Sequence, residues 1–157
     1  MKGIGAIRRI DNLGRIAVPK ELRRNLCIGT GEPLEIFVDR EKVVFKKYSP
    51  VLEMKNIALK FVHILHEILS GNVFITDRAQ VVASSDPGQI GEKIDCIDNN
   101  IIKALEGEDI LESRRAISPI RADGYILGVV GLQKDNLDLT AFKIIKVTAS
   151  IIGKQLE

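Results

Sequence analysis

Residues 5–48 read GAIRRIDNLGRIAVPKELRRNLCIGTGEPLEIFVDREKVVFKKY, and the turns in this stretch decide the fold of the N-terminal part. Asp11-Asn12-Leu13-Gly14 is turn chemistry, because Asp and Asn bond locally to backbone and glycine accepts positive φ. It separates two short strand candidates, residues 5–10 and 15–18. Pro19 suits the first turn of a helix, where its missing N–H costs nothing. Residues 19–26 then make about two helical turns, which Gly29 and Gly31 end. Residues 33–39 alternate as a third strand, Arg40-Glu41 forms a tight turn, and residues 42–47 return as a fourth. Four short strands in under 50 residues cannot bury a sufficient core alone, and they leave open edges. Both difficulties vanish if two copies interleave their hairpins, so an obligate homodimer is expected here.

Charge divides at the same place. Residues 1–48 hold 11 Lys and Arg against 6 Asp and Glu; residues 49–157 hold 12 against 15. A basic module on a mildly acidic remainder is the pattern of a protein that meets a polyanion through one half only. Arg8, Arg9, Arg15, Arg23 and Arg24 lie on or beside the turn and the short helix. Guanidinium groups bind phosphate oxygens bidentately and read guanine edges in the major groove.

The runs Ile7-Arg8-Arg9-Ile10-Asp11, Leu13-Gly14-Arg15, Val18-Pro19-Lys20-Glu21-Leu22-Arg23-Arg24, Leu34-Glu35-Ile36-Phe37-Val38-Asp39 and Lys46-Lys47-Tyr48 carry a specific likeness. Together they resemble the AbrB-type swapped-hairpin DNA-binding family. The resemblance implies a swapped-hairpin β-barrel dimer on double-stranded DNA, with Arg8, Arg15, Arg23 and Arg24 as contacts. Arg9, on a position basic in relatives, joins them.

Tyr48-Ser49-Pro50 marks a boundary, since proline biases its predecessor to extended backbone. The expected domains are 1–50, for DNA, and 51–157, for regulation and oligomerisation, with residues 51–70 as a connecting helix. Within that helix Met54, Ile57, Ala58, Phe61, Val62, Leu65, Ile68 and Leu69 recur at helical spacing. Residues 72–76 and 80–84 read as a hairpin, 91–94 and 99–105 as short helices, 115–121 and 125–133 as strands about Asp123-Gly124, and 139–156 as a helix. Ser118-Pro119 is a bulge or edge signal. The last helix carries two apolar stripes, Phe142/Ile145/Ala149/Ile152/Leu156 and Ala141/Ile144/Thr148/Ile151. One is expected to meet its own sheet and the other a partner subunit. This order resembles the GAF- and PAS-like sensory domains, which makes the expected class α+β with flanking helices. With the N-terminal module, and with fragments such as Phe74-Ile75-Thr76-Asp77-Arg78, the whole chain resembles the stage V sporulation protein T family of sporulation transcription regulators. Residues 83–112 are a shorter stretch than that family carries.

Other chemistry finds little footing. Two cysteines, Cys27 and Cys96, make no disulfide framework, so a reducing cytoplasm is expected, and the DNA-binding resemblance implies the nucleoid within it. Arg8 and Arg9 interrupt any signal peptide, and no run of 18 apolar residues exists to span a membrane. His63 and His66 lie three apart on a helix without a third strong ligand, so no metal is expected. Gly3-Ile4-Gly5 follows no strand and is no dinucleotide fingerprint. Ser84-Ser85-Asp86 has no base beside it and reads as a cap. Catalytic residues and cofactors are therefore expected to be absent. The expected function is a homodimeric, further homotetrameric, DNA-binding regulator open to an unidentified small-molecule effector. The competing reading is an antitoxin whose tail folds on a protein partner.

Overall fold

A computed structural model describes residues 5–26, 28–94 and 98–157. Cys27 and Cys96 lie outside the described residues, as do Gly3 and Ile4. The chain divides into two compact units, Met1–Tyr48 and Ser49–Glu157.

In the first unit Pro19, at φ −56°, leads into helix α1, Lys20–Asn25. Strands β1, Leu34–Asp39, and β2, Lys42–Lys47, form an antiparallel ribbon in which Ile36 faces Phe45, Val38 faces Val43 and Phe37 faces Val44. The turn between them puts Arg40 at φ +55°. Successive residues of a strand point to opposite faces, so Leu34, Ile36, Val38, Val43 and Phe45 share one apolar face, while Phe37 and Val44 lie among charged residues on the other. Residues 5–10 and 15–18 form no strand, contrary to the expectation above. A strand exists only with a ladder partner, and this pair lacks the further strands that would hold it. No described residue of this unit is buried. Ile7 is 95% exposed and Val38 74%.

The second unit has its own core. Helices α2, Pro50–Glu53, and α3, Lys55–Leu69, precede β3, Asn72–Thr76, and β4, Val81–Ser84. Helix α4, Asn99–Leu105, leads to β5, Ile110–Leu111, then β6, Arg115–Ala122, β7, Tyr125–Gln133, and helix α5, Leu139–Gln155. The five strands run antiparallel in the order β4-β3-β7-β6-β5. One face packs α3 and α5, through Ala58, Val62, Leu65, Ile145, Ala149 and Ile152, against Val73, Ile75, Val130 and Leu132. The other packs α4, through Ile101 and Ala104, against Phe74, Ile117 and Val129.

The long helix expected over 51–70 is broken. Ser49 caps α2 by accepting the Leu52 amide, and Met54 turns the chain before α3 begins. That turn lets both Val51 and Met54 reach the core. Helix α3 is thus a core element of the C-terminal unit rather than a free connector. Ile57, Ile64 and Ile68 lie on its exposed side. Residues 91–94 form no α-helix: Gly91 adopts φ +89° and Lys93 bridges to Gln80. Pro119 sits in β6 past the end of β5, where its missing N–H leaves no ladder bond unmade.

Candidate nucleic-acid interface

The first turn of the N-terminal unit is closed from both sides. The Asp11 amide donates to the Arg15 carbonyl and the Gly14 amide to the Asp11 carbonyl, each at 3.0 Å. Gly14 holds φ +75°, a conformation glycine adopts without strain. The Asp11 carboxylate then takes three donors. Its Oδ1 accepts the Leu13 amide at 2.9 Å and the Arg15 amide at 2.8 Å, and its Oδ2 accepts Arg15 Nε at 2.9 Å. The Arg15 amide and guanidinium, with the Leu13 amide, outweigh desolvation and hold the Asp11 carboxyl below the usual range.

Arg15 is exposed, as are Arg8 and Arg9 upstream of the turn. Arg8 Nη1 donates to the neighbouring Ile7 carbonyl at 3.1 Å. Arg23 and Arg24 stand in the last turn of α1, Arg24 exposed and Arg23 half-buried. Leu22 on that helix is half-buried, whereas Leu26, four residues on, is exposed. The structure thus pairs Arg15 with Asp11 and groups Arg23 with Arg24. Asp11 is the residue that sequence reading assigned to the turn alone. The available signal was an acid four positions before an arginine across a tight turn.

In the C-terminal unit Ser84-Ser85-Asp86 bonds to its near surroundings. Ser85 Oγ accepts the Val73 amide and donates to Asn72 Oδ1, Ser84 Oγ donates to Gln89, and Asp86 accepts the Gly88 amide. His66 Nδ1 lies 2.7 Å from the Gly71 carbonyl, past the end of α3. Among the described residues no group of three His, Cys, Asp or Glu could hold a metal ion, and no helix is long and apolar enough to cross a membrane.

The whole chain aligns with stage V sporulation protein T of Bacillus subtilis at 35% identity, covering 100% of this chain and 99% of that protein. This chain belongs to the stage V sporulation protein T family. The alignment runs over 181 positions against 157 residues here, so it carries gaps in this chain. Its first third is 52% identical over 50 residues to the transition state regulatory protein AbrB of B. subtilis, covering 32% of this chain and 52% of that protein. The solved N-terminal DNA recognition domain of AbrB, 94% covered, has a TM-score of 0.27 to this chain. The cofactor-binding GAF domain of the nutrient sensor CodY from Clostridium difficile has a TM-score of 0.50 at 14% identity, over 63% of this chain and 83% of that one. This last likeness shows the fold of the second unit, GAF-like as expected. No family model matches the chain.

Proposed function

We propose that this protein is a DNA-binding transcriptional regulator of sporulation or another growth-transition programme. The observation that carries the reading is the 52% identity of its first unit to AbrB inside a 35% match to stage V sporulation protein T along the whole chain. Arg8, Arg9, Arg15, Arg23 and Arg24 contact the duplex. Phosphate contacts supply affinity, and arginine contacts to base edges supply sequence preference. The first unit works as a swapped-hairpin homodimer, because alone it buries none of its described residues while Ile7, Ile36, Val38 and Val43 face solvent. Such surface marks an interaction site.

The second unit serves oligomerisation and effector sensing and performs no catalysis. Ile57, Ile64 and Ile68 on α3, with Val147 and Ile151 on α5, remain exposed and pair two dimers into a homotetramer. The division of labour falls at 1–50 and 51–157, and the protein acts in the cytoplasm on the nucleoid. An antitoxin tail would fold only on its partner; here residues 49–157 hold a core of their own, which favours the regulator.

The test is fluorescence anisotropy of a promoter duplex at several salt concentrations, for the full chain and for Arg23→Ala/Arg24→Ala. Five arginines doubled by a dimer give about ten cationic contacts and a log–log salt slope near −9; losing four contacts brings it to about −5. A folded wild type that binds no duplex at low salt overturns the proposal.

A further inference from the structure

A carboxylate on a face that meets phosphates opposes binding, yet Asp11 sits beside the turn arginine with its side chain 40% exposed. Stability from the ion pair is a poor reason for the second oxygen, because exposed pairs contribute little. The geometry offers a better one. Oδ1 accepts the two backbone donors that close the turn. Oδ2 takes Arg15 Nε at 2.9 Å. The inner nitrogen of the guanidinium is thus held, and the outer fork of Nη1 and Nη2 is left to meet an acceptor pair. Arg15 itself stays 72% exposed. A long side chain normally loses rotamer freedom when it binds; one already clamped at Nε loses less. A planar fork held in one orientation can tell a bidentate base edge from a passing phosphate.

We infer that Asp11 is a positioning residue: it aims the Nη1/Nη2 fork of Arg15 at a base edge and so sets the preference of this protein for its own DNA sequence. The inference rests on the DNA-binding reading above and adds to it the residue that converts a charge contact into a discriminating one.

Two duplexes serve as probes: the one that wild type enriches from a random-sequence pool, and the unselected pool itself. Affinities are measured for the full chain as wild type, Asp11→Asn, Arg15→Ala and the double variant. Asparagine keeps an oxygen for the turn amides and loses the acceptor at Nε. Positioning expects Asp11→Asn to weaken the enriched duplex about fivefold or more while the pool duplex binds as before or tighter, a negative charge having gone. In the Arg15→Ala background the same change should leave the ratio of the two affinities unaltered.

Asp11→Asn tightening both duplexes equally, or lowering the ratio just as much without Arg15, overturns the inference. Thermal melting reports whether Asp11→Asn folds. If it does not, Arg15→Lys decides: it keeps the charge and removes both Nε and the fork. An unchanged salt slope with a lowered ratio then supports positioning, and an unchanged ratio overturns it. A wild type that enriches no sequence brings down the DNA-binding reading beneath it, which is a different outcome from a wild type that enriches one and tolerates Asp11→Asn.

Discussion

Phe74 and Gly131 stand opposite each other on β3 and β7, and the Phe74 ring lies across the space that a side chain at 131 would fill. Ile117 on β6 continues the same row, so three central strands share one apolar line toward α4. A Cβ at 131 would collide with the ring. Gly131→Ala should therefore destabilise the C-terminal unit by about 1–3 kcal/mol, the cost of overpacking a filled core. Thermal melting checks it. Phe74→Leu in the same chain should recover part of the loss, and a double variant no better than Gly131→Ala would place the clash elsewhere.

Gly153 sets helix propensity against packing. It is buried within α5, and a Cβ there would strike the Arg121 carbonyl of β6. Propensity alone would make alanine better by about 1 kcal/mol. The neighbour is backbone held in a sheet and cannot yield like a flexible side chain. Gly153→Ala should thus destabilise by about 1–3 kcal/mol net. A rise in denaturant midpoint would show that α5 can shift outward at little cost.

Asp109 ties the β5 side of the sheet to α5. Its Oδ1 accepts the Ser118 hydroxyl and its Oδ2 lies 2.7 Å from Lys146 Nζ. Burial pushes its carboxyl up, but hydrogen bonds from Lys146 and Ser118, with the charges of Lys146 and Arg121, outweigh this and leave it below the ordinary value. A lowered carboxylate pKa contributes stability above the unfolded value, about 3.9, and loses it as pH falls through the folded value. Asp109→Asn should lower stability at neutral pH by about 1 kcal/mol or less, the ion pair being half-exposed. It should also flatten the loss of stability below about pH 4. Equal acid limbs for variant and wild type, from urea titrations across that range, would remove Asp109 from the account.

What residues impose on their near neighbours was legible along the chain. The Asp11–Gly14 turn, the start of α1 after Pro19, the Arg40-Glu41 turn, and the hairpins of β3 with β4 and β6 with β7 follow from chemistry acting over a few positions. The clustering of arginines about this turn and helix is a local feature of the same kind, since charge and turn residues sit side by side. What depends on distant partners was not. No local signal places β3 beside β7, over fifty residues later, or explains why glycine is required at 131 and 153. Those answers come from a ring and a carbonyl that only folding brings near. The same limit accounts for residues 5–10 and 15–18: their strand-like composition is a local property, but a strand needs a ladder, and these residues form none.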